Sequence, residues 1–204
     1  MVAAVLGLGG FVLLTALLLA RVSIPFDAPL LAFAAGFAGD GTVWRIISES
    51  SNWPLVVIGV GMVLVLFLRG RLRDAALVAV VLIAVTAGSE GVKQLVARPR
   101  PEGIDPHIPG VVYSYPSGHV LEALTIFGVI AVHIARAGAA RAVVAVFSLL
   151  VAVDVMLVGF ARMALRAHYP SDVLGSLLAG AGVLAIYAIV SRLRAITGGP
   201  RIAR

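Results

Sequence analysis

The chain has 204 residues, 61% of them apolar and 13% charged, with a formal net charge of +6 and no cysteine. A water-soluble core cannot absorb that share of apolar side chains, so the composition excludes an ordinary soluble domain and indicates a helical membrane protein. The missing cysteines exclude disulfides, thiolate nucleophiles and thiolate metal sites. The basic residues are scattered through loops between apolar stretches rather than gathered on one face, so membrane topology explains them better than nucleic acid does.

Apolar stretches recur at about 2–20, 53–68, 75–97, 119–136, 142–165 and 172–191. Each approaches the ~20 helical residues that cross ~30 Å of hydrocarbon. They predict an all-α, polytopic bundle of six transmembrane helices within a single domain, 1–204. No basic residue precedes the first stretch and no small-x-small cleavage site follows it, so it is expected to be an uncleaved span. Segment 21–52 is broken by Pro25, Pro29, Gly36, Gly39 and Gly41 and reads as a loop with one or two short interfacial helices. Trp44 and Trp53 suit either the headgroup level or ordinary packing.

The basic stretches 69–74 and 136–141 read as tight connections between antiparallel helices. The proline-rich connection 98–118 is too polar for lipid and must lie at a bilayer surface. The basic tail 192–204 is expected to be a disordered cytoplasmic end drawn to anionic lipid. With the amino terminus inside, nine basic residues fall on the cytoplasmic side and seven outside, a weak positive-inside bias.

Three polar clusters interrupt this background, and the span order puts all of them on one membrane face. Lys93 and Arg100 close the third span and open its loop, seven residues apart and so on one helical face while the helix lasts; Pro99 and Pro101 are expected to end it. Lys93 reads either as a functional cation or as a side chain snorkelling to the interface. Pro116, Ser117, Gly118 and His119 start the fourth span, where free backbone N–H groups and the helix dipole favour an anion. Ser117 could equally be a helix cap. Arg162, His168 and Asp172 occupy the connection between spans five and six. The four-residue spacing allows the Asp172 carboxylate to accept a hydrogen bond from the imidazole, and Asp172 could also cap the sixth span.

Guanidinium and ammonium groups, a helix terminus and two histidines together describe a phosphate site suited to double displacement. In order and spacing, Lys93-x6-Arg100-Pro101, Pro116-Ser117-Gly118-His119 and Arg162-x5-His168-x3-Asp172 resemble the tripartite signature of the type 2 phosphatidic acid phosphatase superfamily. The resemblance implies that His168 is the nucleophile, Asp172 its orienting partner and His119 the general acid. It further implies that Lys93, Arg100, Ser117, the Gly118 backbone and Arg162 hold the phosphate, with no metal and no cofactor. One departure is Ala161, where relatives carry a serine before the arginine.

The implied reaction is hydrolysis of a lipid phosphomonoester or diphosphate through a phosphohistidine, in the plasma membrane, with the site facing the periplasm or exterior. Substrates would be a polyprenyl diphosphate, phosphatidylglycerol phosphate, phosphatidate or prenyl-linked sugar phosphate. Alternatives are transfer of the phosphoryl group to an acceptor other than water, or a non-catalytic lipid-phosphate binding or transport protein. Removing Lys93, Arg100 and Arg162 from the outside count leaves nine basic residues inside against four outside. Glu90, Glu122 and Arg166 are candidate headgroup contacts, Asp154 and His133 are expected to be structural, and His107 is expected to be exposed in the outer loop.

Overall fold

The computed structural model describes residues 1–51, 53–108 and 112–197. Among these, eight helices follow in order: α1 (Val2–Leu19), α2 (Asp27–Ala35), α3 (Thr42–Ser50), α4 (Trp53–Leu68), α5 (Leu72–Val96), α6 (Gly118–Arg136), α7 (Arg141–Ala164) and α8 (Pro170–Thr197). Six stretches are long and apolar enough to cross a membrane, namely α1, Thr42–Leu68 spanning α3 and α4, α5, α6, α7 and α8 to Leu193. At 1.5 Å per residue the 16 residues of α4 reach only about 24 Å, short of the ~30 Å hydrocarbon core, so α3 extends that crossing.

The bundle is packed inside out relative to a soluble protein. Val57, Leu64, Val80, Ile83, Leu149 and Met156 point outward and are more than half exposed, as a lipid solvent permits, while small residues allow helices to approach within the bundle. At Gly7 a Cβ would lie 2.7 Å from the backbone nitrogen of Gly182, so α1 and α8 touch almost backbone to backbone. At Gly175 a Cβ would lie 2.5 Å from the Tyr115 ring, which therefore sits directly on α8. One apolar cluster, including Val120, Ala123, Val155, Val158 and Val173, joins α6, α7 and α8. A second, around Val78, Val81, Val85, Val129 and Tyr187, joins α5, α6 and α8.

Residues 21–51 hold more helix than their prolines and glycines suggest, and α2 and α3 both pack on α7. Trp44 is a packing residue here, with its ring centroid 5.1 Å from that of Phe160 and its indole N–H donating to the Phe37 carbonyl at 2.7 Å. Trp53 is 72% exposed. Helix α8 starts on Pro170, an N-terminal position at which proline loses no hydrogen bond, and continues to Thr197. The tail expected to be disordered from residue 192 is thus helical through 197, as the helix-favouring run from Arg192 to Ile196 explains. Residues 198–204 lie outside the described residues.

Candidate active site

Helix α5 stops at Val96, three residues before Pro99. Ala97 turns into the left-handed region at φ 47° and its N–H closes on the Lys93 carbonyl at 2.8 Å. Lys93 therefore ends a helix while Arg100 belongs to the loop beyond it, and the shared helical face expected from their spacing is not formed. Both nevertheless act electrostatically on His168. The Lys93 ammonium lies beside the α6 terminus, 3.7 Å from where a Gly118 Cβ would stand, and pairs with Glu90 at 3.4 Å.

The α6 amino terminus is fixed from both sides. Tyr115 is fully buried, stacks on Phe11 with centroids 5.9 Å apart, and shares a 3.0 Å hydrogen bond with Thr15 of α1. The Ser176 hydroxyl of α8 donates to the Ser117 carbonyl at 2.8 Å. Ser117 occupies the cap position of α6, but its hydroxyl makes no capping bond. Of the two sequence readings for Ser117, the helix-cap one is therefore not realised.

His168 is buried in the α7–α8 connection, and its Nδ1 lies 2.6 Å from the Ser114 carbonyl. A carbonyl only accepts, so the proton resides on Nδ1 and Nε2 carries the lone pair. The expected hydrogen bond to Asp172 is not made: Nδ1 and the carboxylate are 3.6 Å apart. Asp172 is committed elsewhere, accepting from the Tyr169 N–H at 2.8 Å as the cap of α8 and from the Arg98 guanidinium. Burial first, then the positive charge of Arg162 and Arg100, holds His168 well below the usual imidazole value of 6.5. The ring is neutral at physiological pH, the state a nucleophile needs.

Arg98, beside the predicted Arg100, is the residue that sequence reasoning missed. Its guanidinium bridges Asp172, Ser171 (2.7 Å) and Asp27 of α2 (2.6 Å) and lies 3.9 Å from the Tyr169 ring centroid. Burial opposes its charge, but Asp172 and Asp27 outweigh that and raise its pKa further. Asp27 also accepts from the Ser171 N–H at 2.8 Å, so α2 is tied directly to the first turn of α8. Ser48 of α3 was missed likewise: fully buried, it accepts from Arg162 at 2.8 Å. The scattered charges and aromatic residues of segment 21–52 were the only signal available for Asp27 and Ser48.

The other predicted residues divide. Arg100 and Arg162 act on His168 electrostatically along with Lys93, and His119 lies in the field of Arg162, His168, Lys93 and Arg100. Glu122 is half-buried on α6 in the field of Lys93. Arg166 adopts φ 52° and donates to the Glu102 carbonyl at 3.2 Å. Asp154 accepts from Ser51 at 3.5 Å, and His133 bonds Tyr187 at 2.6 Å on the far end of α6. His107 is exposed yet contacts Asp105 at 3.0 Å, beside the Arg45–Asp105 ion pair.

Against this paired background, five buried side-chain atoms have no hydrogen-bond partner among the described residues: Arg100 Nε and Nη1, Ser117 Oγ, His119 Nε2 and Arg162 Nε. Buried polar atoms are ordinarily satisfied. Four of the five are guanidinium or hydroxyl groups able to donate, an arrangement with Lys93 at a helix amino terminus that suits an anion.

Residues 74–195 match the PAP2 superfamily, a stretch that includes all three motifs, and the chain belongs to that superfamily of phosphatases. The fold is similar to the crystal structure of a transmembrane PAP2-type phosphatidylglycerolphosphate phosphatase from Bacillus subtilis, with a TM-score of 0.75 over 98% of this chain and 100% of the other at 21% identity. No curated protein matches the sequence significantly.

Proposed function

We propose that this chain hydrolyses a phosphomonoester or diphosphate on a membrane lipid through a phosphohistidine at His168. The observation that carries the reading is the set of unpaired buried donors on Arg100, Ser117 and Arg162 beside a neutral, oriented imidazole. His168 Nε2 attacks phosphorus, the bond from phosphorus to the leaving oxygen breaks, and His119 donates a proton to that oxygen. Water then attacks the phosphohistidine while His119 accepts its proton. The N–P bond breaks, and inorganic phosphate leaves.

Lys93, Arg100, Ser117, the Gly118 N–H and Arg162 bind the equatorial oxygens, where each preorganised donor contributes about 3–4 kcal/mol to the transition state. Asp172 acts on His168 from 3.6 Å as a charge and as the anchor of Arg98, rather than as a direct acceptor. The excess of basic residues at the opposite end of the bundle supports a site facing the periplasm or exterior. Substrate candidates remain polyprenyl diphosphate, phosphatidylglycerol phosphate, phosphatidate and prenyl-linked sugar phosphates.

Phosphate release from a panel of these lipids in detergent, wild type against His168→Ala, tests the reading. At least one lipid should be cleaved by the wild type alone, with EDTA without effect. Equal release by the variant, or activity lost to EDTA and restored by a divalent ion, would sink the mechanism.

A further inference from the structure

At the end of the bundle opposite the phosphate cluster, the α4–α5 turn and the end of α6 enclose an open cavity of about 640 Å³ lined by Gly70, Arg71, Leu72, Arg73, Asp74, His133, Arg136 and Ala137. Three arginines face one carboxylate. Asp74 takes Arg71 at 2.6 Å and Arg136 at 3.3 Å, so it neutralises one positive charge and holds the two guanidinium groups in place. The lining keeps a net charge of +2 if His133 is neutral. His133 is engaged by the Tyr187 hydroxyl at 2.6 Å.

The surroundings of the cavity bear on what fills it. Leu72 on its wall is 57% exposed, and Phe67 and Leu68, just before the turn, are 58% and 73% exposed. An arginine-lined hollow bordered by lipid-facing apolar surface matches an amphiphile with an anionic head. Arginine forks fit phosphate oxygens, and basic pockets at helix ends are suited to lipid headgroups.

We propose that this cavity binds the phosphodiester headgroup of an anionic phospholipid from the leaflet opposite the catalytic site, with Arg73 and Arg136 as its principal contacts and the acyl chains along the apolar surface of α4 and α5. Occupancy would brace the α4–α5 turn against the end of α6. The proposal does not rest on the catalytic reading, because it concerns the other end of the bundle and its readout is binding.

The test uses the full chain in zwitterionic nanodiscs titrated with phosphatidylglycerol, phosphatidylcholine or inorganic phosphate, with retained lipid measured by native mass spectrometry and unfolding temperature followed in parallel. Phosphatidylglycerol should be retained and should raise the unfolding temperature, whereas phosphatidylcholine should do neither. Arg73→Glu, a change at an exposed residue that makes no ion pair among the described residues, and Arg73→Ala/Arg136→Ala should each weaken that retention about tenfold or more. Retention of phosphatidylglycerol undiminished in both variants would overturn the site. Stabilisation by inorganic phosphate equal to that by phosphatidylglycerol, and lost in Arg73→Glu, would overturn the lipid source in favour of a free anion.

Discussion

Arg98 and Arg100 are two residues apart, each precedes a proline, and they do opposite things. Arg98 is engaged through both terminal nitrogens, by Asp27, Ser171 and Asp172, and lies over the face of Tyr169. Arg100, also largely withdrawn from water, leaves Nε and Nη1 without a partner among the described residues. Burial pulls its pKa down and the charge of Asp172 only partly opposes this, whereas Asp172 and Asp27 together outweigh burial at Arg98. A buried charge that is fully paired belongs to the framework, whereas one left with free donors is held ready for a charge that comes and goes.

The sharpest way to break that distinction is Arg100→Ala. On the proposed mechanism this loss of a phosphate donor should lower kcat/KM for phosphate release by about 10²–10³-fold, with the unfolding temperature unchanged. A variant that unfolds at markedly lower temperature instead would make Arg100 a framework residue. Arg98→Ala should do the reverse first: it leaves Asp27 and Asp172 buried without their partner, costing about 3–5 kcal/mol of stability in thermal or denaturant unfolding. Activity then falls as a consequence of the displaced α8 terminus.

A smaller effect separates the two regions by pH. Because His168 sits below the ordinary 6.5, chiefly through burial, the acid limb of kcat/KM that reports this imidazole in the free enzyme should lie below pH 6.5. Lowering the pH from 7.5 to 6.5 should then cost less than about twofold in kcat/KM through that group. The same depressed value means that the neutral ring stabilises the fold fully above pH 6.5, and that this contribution is lost as pH falls from 6.5 toward the folded-state value. A nucleophile-linked limb above pH 6.5 would contradict the buried, neutral imidazole.

Much of the architecture was legible because lipid imposes a single strong pattern: long apolar runs punctuated by charge become helices, and three motifs at helix ends on one face can converge. The interior pairings were not. Beyond the left-handed turn at Ala97 the loop has no periodicity, so nothing in RPRP says which arginine turns toward Asp27 and which toward His168. Asp27 reaches Ser171 across 144 residues and Ser48 reaches Arg162 across 114, from a segment whose prolines and glycines read as a loop. The partner of His168 is a backbone carbonyl, that of Ser114, which no residue type announces. Asp172 four residues on was the visible candidate, and the α8 cap and Arg98 claim it first.

The central claim is that His168 carries the phosphoryl group in turnover, and rapid-quench trapping with a lipid substrate labelled in its phosphate tests it most directly. A base-stable, acid-labile phosphoryl adduct mapping to His168, absent in His168→Ala and accumulating in His119→Ala, is the predicted result. An adduct on another residue, or phosphate released by the wild type with no protein-bound phosphoryl group at any quench time, would contradict it.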